Sequence, residues 1–283
     1  MTGSRAVPAA LAEAIDLLRC PRCGGAFSLT AATVRCDRGH AFDLARQGYV
    51  NLTGAAQPPH ADSPAMVAAR AELLDSGRYA VLSDALAAAS PPAARDVVDV
   101  GTGTGHYAAA VLDVRPEARA LGLDISVAAC RRAARRHPRL AVATADAWGA
   151  LPVVDDGVDV VLSVFSPRNA VEFARVLRPD GCVITVTPGA HHLAELRGTF
   201  GLLGVQEDKE QRLIEVFRAA GLTTADQQLV EQVDPWTADD AVRSILMGPN
   251  AFHTRVDQVR AAAAALAWPR PVTLSCVITR WSR

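Results

Sequence analysis

Four residues of the kinds that bind zinc stand close together near the start of the chain: Cys20, Cys23, Cys36 and His40. Two residues separate the first pair and three separate the second, so two short turns could aim four ligands at one ion. Zinc takes four nitrogen or sulfur ligands in a tetrahedron, which predicts a structural zinc site with every position filled. A redox Cys-X-X-Cys is the alternative, but it would lie in a βαβ unit, and no such pattern surrounds Cys20.

A second group of residues, farther along the chain, points to a bound nucleoside. The stretch DVGTGTG supplies an aspartate and three glycines: Asp99, Gly101, Gly103 and Gly105. Glycine lets the backbone approach a ligand where a Cβ atom would collide with it. Asp124 and Asp146 each close a later apolar run. Their carboxylates could accept hydrogen bonds from the hydroxyls of a ribose and from the amino group of an adenine.

A dinucleotide is the main alternative ligand, because glycine-rich loops also bind pyrophosphate at the start of a helix. The spacing here is GxGxG, however, whereas the dinucleotide motif is GxGxxG. S-adenosylmethionine has no pyrophosphate, so it needs close backbone approach and paired acceptors instead. We therefore expect S-adenosylmethionine as the cofactor.

The elements that must position these residues alternate along the chain. Continuous apolar runs predict strands at residues 96–100, 119–124, 140–146, 158–165 and 182–187. Helical segments separate them, which predicts an α/β domain with a doubly wound parallel sheet. Such sheets bind ligands at the carboxyl ends of their strands, where the glycines and aspartates fall. A tight turn is expected at residues 177–181, and the last segment, VTLSCVITRWSR, alternates like an added antiparallel strand.

The 283 residues fit one large or two modest domains. We expect residues 1–53 to form a zinc-binding domain, which is too small to fold on apolar burial alone. Within it, FSLTAATVR predicts a short hairpin between the two pairs of zinc ligands. Residues 54–63 are rich in glycine, proline and small side chains, which predicts a linker. Residues 64–283 then form the larger domain. Its first helix starts at Pro64, and Ser63 is the expected N-cap.

Composition argues against several classes of protein. No run of about 18 apolar residues is present, so we expect no membrane span. The N-terminus lacks the apolar block of a signal peptide, so a cytoplasmic location is expected. The net charge of −1 argues against binding nucleic acid through an overall basic charge. Arginines nevertheless surround the zinc ligands and could contact phosphates: Arg19, Arg22, Arg35, Arg38 and Arg46.

Several longer stretches resemble the 23S rRNA guanine-N1 methyltransferases, the family that includes the tylosin-resistance enzymes. They are the CPRC and CDRGH knuckles, FDLARQGYVNL, MVAARAELLDSGRY, GTGTG, FSPRN, TPGAHHL and MGPNAFH, which together span nearly the whole chain. The resemblance implies a class I S-adenosylmethionine-dependent methyltransferase fold, which is Rossmann-like, with an N-terminal zinc ribbon that docks RNA. It also implies that the protein is a homodimer.

The resemblance also implies roles for individual residues. The zinc ligands of the family fall on Cys20, Cys23, Cys36 and His40. Its cofactor contacts fall on Tyr79, Gly103, Thr104 and His192. The forms RQGYVNL and SPRN, with the stretch GLLGV…KE…RL, favour the type that methylates position 748 of 23S rRNA over the type that acts at position 745. A role in resistance to tylosin-like macrolides would follow from that position.

Methylation at N1 of guanine requires an acceptor for the N1 proton. Asp146 and Asn169 are the predicted catalytic residues, and Asp99 and His192 are further candidates, although Asn169 could instead cap a helix. Because N1 lies on the pairing edge, we expect the target base to be in a hairpin loop and to leave its stack. Three alternatives are a small-molecule methyltransferase that keeps its zinc ribbon for dimerisation, a non-catalytic RNA-binding protein and a nucleotide-dependent oxidoreductase. The intact Gly101, Gly103, Gly105 and Asp124 argue against the second.

Overall fold

The computed structural model describes residues 7–30, 33–54, 58–202 and 209–283. The N-terminal region begins with helix α1 (Ala9–Ala14) and a 3-10 turn (Ile15–Leu17). Three antiparallel strands follow: β1 (Phe27–Thr30), β2 (Thr33–Cys36) and β3 (Ala41–Asp43). The predicted hairpin is therefore confirmed as β1 and β2, and its turn at residues 31–32 lies outside the described residues.

The larger region alternates strands and helices. Its strands are β4 (Asp96–Val100), β5 (Arg119–Asp124), β6 (Leu140–Thr144), β7 (Val158–Val164), β8 (Leu177–Pro188), β9 (Thr223–Trp236) and β10 (Arg270–Ser282). Its helices are α2 (Pro64–Asp75), α3 (Ala80–Ala89), α4 (His106–Val114), α5 (Val127–Ala133), α6 (Ala170–Val176), α7 (Ala194–Phe200), α8 (Lys209–Ala219), α9 (Ala238–Leu246) and α10 (Val256–Ala264). A second 3-10 turn (Pro249–Phe252) lies between α9 and α10. None of the helices in the described part of the chain is long and apolar enough to cross a membrane.

The strands of the larger region form one sheet in the order β6-β5-β4-β7-β8-β10-β9. The strands β4 to β8 are parallel, and β10 and β9 add antiparallel strands at one side. Every residue of β4 and β6 is buried, as expected of strands covered on both faces. The predicted α/β sheet and its final antiparallel strand are confirmed.

Strand β8 begins earlier than the sequence predicted. Val158 of β7 pairs with Leu177, whereas Val160 pairs with Cys182, so residues 178–181 form a bulge between the two pairs. We expected a turn at residues 177–181, and the structure instead carries the strand through them. Arg178 anchors this bulge, because its guanidinium pairs with Asp159 at 2.5 Å and with the carboxylate of Asp96 at 2.8 Å.

Strand β9 was not predicted. It lies at the edge of the sheet, and its residues are exposed from Thr223 to Leu229, so the strand lacks the continuous apolar run that marks the others. Its pairing with β10 extends from one end of the strand to the other. Tertiary pairing, rather than a local apolar pattern, therefore makes this segment a strand.

The zinc-binding region packs directly on the sheet. Val50 donates its N–H to the carbonyl of Val142 at 3.0 Å, and its own carbonyl accepts from the N–H of Thr144 at 2.9 Å. These bonds add one parallel bridge to the outer side of β6. Buried residues of the N-terminal region, such as Leu11 and Val34, belong to the same apolar cluster as core residues of the sheet. The division of the chain into domains at residues 54–63 stays a prediction.

This shared core yields a prediction for a zinc-ligand variant. Replacing Cys36 by serine removes a buried ligand from that cluster. We expect one cooperative unfolding transition, with a melting temperature lower by more than about 5 °C, since the loss of bound metal destabilises both regions together. Differential scanning calorimetry of the wild type and the variant, both in buffer that contains zinc, measures this. Asp37→Ser, an exposed change in the same turn, serves as the control. Two separate transitions, or an unchanged melting temperature, would show that the regions are independent.

Candidate active site and metal centre

The predicted zinc ligands converge on one point. Their ligand atoms all lie within 4.8 Å of one another: Cys20, Cys23, Cys36 and His40. The sulfurs of Cys23 and Cys36 are 3.7 Å apart, and the Nδ1 atom of His40 lies 3.6 Å from the sulfur of Cys20. Zn–S and Zn–N bonds of about 2.3 and 2.0 Å give tetrahedron edges of about 3.8 Å between sulfurs and about 3.5 Å between sulfur and nitrogen. The four residues therefore fit a zinc ion.

Two closed turns create this geometry. In the first, the N–H of Gly24 donates to the carbonyl of Cys20 at 2.8 Å, and in the second the N–H of Gly39 donates to the carbonyl of Cys36 at 2.9 Å. Both glycines have positive φ, at 71° and 85°, which residues with a Cβ rarely adopt. The protein supplies four ligands, so a bound zinc would keep no open position, and the site is structural.

A cavity of about 300 Å³ lies at the carboxyl ends of β4, β5, β6 and β7. Several predicted cofactor residues line it: Tyr79, Gly101, Gly103, Thr104, Asp124 and Asp146. Other predicted site residues lie outside its lining: Asp99, Gly105, Asn169 and His192. The structure thus brings one part of the predicted site to the cavity wall and leaves the other part outside the lining.

Asp124 joins the glycine loop to the end of β5. Its Oδ2 atom accepts from the N–H of Gly103 at 2.8 Å, and its Oδ1 atom accepts from the N–H of Ser126 at 2.8 Å. Burial raises the pKa of this carboxyl, although the two backbone donors oppose the rise. Each carboxylate oxygen keeps a second lone pair for a ligand in the cavity. Asp124 can therefore accept a pair of hydroxyl groups.

The glycines of the loop serve different contacts. A Cβ atom on Gly101 would lie 2.5 Å from the Cβ of Ser166, so only glycine permits this approach to the turn after β7. A Cβ atom on Gly105 would lie 2.8 Å from Leu140 Cδ2 and 3.3 Å from the backbone of Ala133. Gly105 therefore allows close packing below the loop, since its neighbours are core residues and not the cavity.

Asp99 supports the loop from below. Its carboxylate is 2 % exposed and accepts a hydrogen bond from Thr102 Oγ1 at 2.6 Å. Burial raises the pKa of Asp99 to about 7, the nearby charge of Asp124 adds to the rise, and the Thr102 bond opposes it. The predicted contact of Asp99 with the cofactor stays a prediction, and the contact that the structure shows is with the loop itself.

Asn169 holds a neighbouring loop in place. Its Oδ1 atom accepts from the N–H of Glu172 at 3.4 Å, which is the helix cap that the sequence left open as an alternative. Its Nδ2 atom donates to the carbonyls of Ala147, Trp148 and Gly149 at 3.2, 3.3 and 3.0 Å. This loop follows the cavity residue Asp146, so the amide of Asn169 is occupied in positioning it.

His192 lies outside the cavity lining and packs against Phe165, which is part of that lining. Its ring centroid is 5.8 Å from that of Phe165, and its Nδ1 atom is 3.6 Å from the sulfur of Cys276. Burial lowers the pKa of His192 to about 4, so the imidazole is neutral near pH 7. His191 is the exposed member of the pair and contacts Glu231 at 3.2 Å.

Arg70 lines the cavity, although no sequence motif pointed to it as a site residue. Its guanidinium forms an ion pair with Asp62 and donates to the carbonyl of Met247 at 2.6 Å. It lies three or four residues along α2 from the buried Met66, Leu73 and Leu74, and therefore on the same face of the helix. An arginine at a core-facing helical position was the signal that could have identified it.

Tyr79 presents a further polar atom at the cavity. Its hydroxyl is buried near Ser244, but neither hydroxyl forms a hydrogen bond of normal geometry within the described residues. A buried hydroxyl in this state is suited to contact a bound polar group.

The buried Asp99 predicts a specific dependence of stability on pH. Between about pH 4 and pH 7 the unfolded chain ionises this carboxyl while the folded protein keeps it protonated, so its contribution to stability falls as pH rises. Asp99→Asn removes this ionisation, and its amide oxygen can still accept from Thr102. The difference in melting temperature between the variant and the wild type should therefore increase in favour of the variant, by about 2 °C or more, as the pH rises from about 4 to about 7. Thermal unfolding at several pH values tests this, with the exposed Asp84→Asn as control, and a constant difference would contradict it.

Two family descriptions match this chain. The N-terminal zinc ribbon described as "RlmA, N-terminal" matches residues 18–57, and the "Methyltransferase domain" matches residues 97–181. Among solved structures, YcgJ of Bacillus subtilis has a TM-score of 0.50 and 18% identity over 73% of this chain and 99% of its own. A chain from the Haloferax volcanii complex of the Trm112 activator with a methyltransferase has a TM-score of 0.51 and 21% identity, over 76% of this chain and 93% of its own. These likenesses show the fold.

Two relatives match nearly the whole chain. The 23S rRNA (guanine(748)-N(1))-methyltransferase of Streptomyces fradiae is 44% identical over 94% of this chain and 96% of its own length. A Micromonospora griseorubida protein, assigned by name to the 23S rRNA (guanine-N(1)-)-methyltransferases, is 43% identical over 93% of this chain and 96% of its own length. Both matches span the zinc ribbon and the sheet. The resemblance drawn from the motifs is confirmed, and the chain belongs to the family of S-adenosylmethionine-dependent 23S rRNA (guanine-N1)-methyltransferases.

Proposed function

We propose that this enzyme transfers a methyl group from S-adenosylmethionine to N1 of guanine 748, in a hairpin loop of 23S rRNA. The observation that carries the position is the 44% identity, over nearly the full length of both chains, to the Streptomyces fradiae enzyme with that position in its name. The reaction takes place in the cytoplasm, and the methyl group confers resistance to tylosin-like macrolides.

The cavity fits the cofactor chemically. The carboxylate of Asp124 faces the cavity with free lone pairs for the ribose hydroxyls, and the hydroxyl of Tyr79 is buried in the wall. Gly101 and Gly103 bring bare backbone to the same wall. When bound, S-adenosylmethionine supplies a methyl group that its sulfonium already activates. The chain's own task is therefore to align the acceptor base, exclude water and remove a proton.

Asp146 is the proposed acceptor of the guanine N1 proton. It lines the cavity and is exposed, whereas both oxygens of Asp124 already bind backbone N–H groups and Asp99 lies beneath the loop. The Oδ1 atom of Asp146 accepts from the N–H of Trp148 at 3.0 Å, which leaves Oδ2 for the substrate. Asn169 acts through the loop that it holds and is a positioning residue in this reaction.

The zinc ribbon is the proposed docking surface for the RNA. Four arginines near the metal ligands are exposed: Arg22, Arg35, Arg38 and Arg46. Arg19 belongs to a different contact, because its guanidinium pairs with Asp155 at 2.8 Å and so joins the ribbon to the larger region. Phosphate contacts by the four exposed guanidinium groups would make RNA binding strongly dependent on salt.

A homodimer is also part of the proposal. Strand β9 lies at the edge of the sheet, and its residues Leu229 and Val233 are 60 % and 58 % exposed. An exposed edge strand with apolar side chains is suited to pack against the same strand of a second copy of the chain.

Primer extension on 23S rRNA tests the position and the substrate together. In cells that express the wild-type gene, reverse transcription should stop one nucleotide before guanine 748, because an N1-methyl group blocks base pairing. Cells that express Asp146→Ala should show at least about tenfold less of this stop, while Asp84→Ala should match the wild type. A stop before guanine 745 would place the enzyme in the other type. Methyl transfer to a small molecule with no stop in the rRNA would overturn the proposal.

A second prediction concerns the cofactor itself. Asp124→Asn exchanges one carboxylate oxygen for an NH2 group, which cannot accept from the N–H of Gly103 or Ser126. We expect the affinity for S-adenosylmethionine to fall about tenfold or more. Isothermal calorimetry measures it, and a melting curve verifies that the variant folds. Asp84→Asn is the matched control, and equal affinity in all three proteins would remove Asp124 from the cofactor site.

A further inference from the structure

Three exposed aromatic side chains gather at the cavity. They are Trp148, Phe165 and Phe252, which are 66 %, 39 % and 46 % exposed, and all three line the cavity. The other large hydrophobic side chains that stand exposed among the described residues are aliphatic, and none of them lines it. Aromatic residues make up only 5% of the chain, so composition alone does not explain this concentration. Exposed rings grouped at one cavity indicate a binding surface.

These rings come from separate parts of the chain. Trp148 follows β6, Phe165 follows β7, and Phe252 ends the 3-10 turn between α9 and α10. The carboxyl ends of the parallel strands lie at one end of the sheet, so Trp148 and Phe165 line the same cavity as Asp146 although β5 and β4 lie between their strands. Their meeting is therefore a consequence of the tertiary structure and not of a local apolar run.

Phe165 is held in an unusual backbone conformation. Its φ is +51°, a region that bulky residues rarely occupy, and its N–H donates to the carbonyl of Val186 at 3.2 Å. Its ring packs against His192 with centroids 5.8 Å apart and planes inclined by 35°. Backbone outliers of this kind persist where the surroundings enforce them, and they concentrate at functional sites. The contacts fix the ring at the cavity while leaving part of it open to solvent.

Trp148 is held by different contacts. Its N–H donates to Asp146 at 3.0 Å, and its carbonyl accepts from the amide of Asn169 at 3.3 Å. The loop is thus fixed at its backbone, while the Trp148 side chain lines the cavity and is 66 % exposed. Two aromatic side chains with fixed backbones therefore line the same cavity as the proposed proton acceptor, Asp146.

We propose that Phe165 and Trp148 form an aromatic subsite on which the extruded target guanine stacks before methyl transfer. This inference rests on the proposed function, since it names where the acceptor base of that reaction binds. Guanine N1 lies on the pairing edge, so the base leaves its stack, and aromatic side chains replace the stacking that it loses. His192 serves as a positioning residue, because its ring packs against that of Phe165.

Kinetics with matched variants test the subsite. Phe165→Asn removes the ring, and asparagine tolerates positive φ, so the turn is kept. Trp148→Leu removes the second ring. Each variant should lower kcat/KM for a hairpin transcript of the target loop by roughly tenfold to a hundredfold. Phe165→Tyr and Trp148→Phe keep an aromatic face and should stay within about threefold of the wild type. Val216→Asn changes an exposed apolar residue outside the cavity and should have no effect.

A second measurement separates stacking from a purely structural role. The wild type should bind a hairpin with an abasic target position about tenfold more weakly than the intact hairpin. Phe165→Asn should bind both hairpins nearly equally, because the ring and the base are partners in one contact. Equal sensitivity to base removal in the two proteins would overturn the inference.

Affinity for S-adenosylmethionine provides the last distinction. Calorimetry should show that Phe165→Asn and Trp148→Leu bind S-adenosylmethionine with an affinity within about threefold of the wild type. A loss of cofactor affinity that matches the loss in kcat/KM would assign the rings to the cofactor and overturn the inference. A wild-type protein that methylates the transcript while both variants retain full kcat/KM would overturn the subsite and leave the proposed function standing. A wild type that methylates no RNA would overturn the proposed function itself.

Discussion

The hydrogen bond from the N–H of Gly103 to the carboxylate of Asp124 connects the loop after β4 with the end of β5, and the active-site cavity depends on this contact. It folds the loop after β4 against the end of β5, where the carbonyl of Leu123 also accepts from the N–H groups of Gly101 and Thr102. A side chain at any of the three loop glycines would place a Cβ atom close to a neighbouring residue. At Gly101 and Gly105 the distance to the nearest atom would be less than 3 Å. The cavity exists because this loop can lie so close to its neighbours.

The acidic residues around this loop divide into different environments. Asp99 is beneath the loop and has its pKa raised to about 7, whereas Asp146 stands exposed at the cavity mouth. Asp124 lies between them, held by two backbone donors. Carboxyl groups of one chemical type thus occupy three environments around the cavity, and the difference between them is burial and hydrogen bonding.

The zinc ribbon is attached to this machinery through the core. Val50 pairs with β6, and buried residues of the ribbon share an apolar cluster with the sheet. The proposed RNA-docking surface therefore keeps a constant position relative to the strand ends that carry the cavity. Rigid attachment suits an enzyme that must bring one base of a large RNA to a single methyl group, since misalignment of about 1 Å is costly in such reactions.

The sequence by itself determined the ligand spacing of the zinc site, the parallel strands β4 to β8 and the glycine loop with Asp124 and Asp146 at strand ends, because these depend on local patterns. Only the tertiary structure decided that Asn169 holds the Trp148 loop, that His192 packs against Phe165 and that Arg70 reaches the cavity. It also made β9 a strand, through pairing with β10. Side-chain direction and burial follow from strand register and from contacts between distant segments, and spacing along the chain does not contain them.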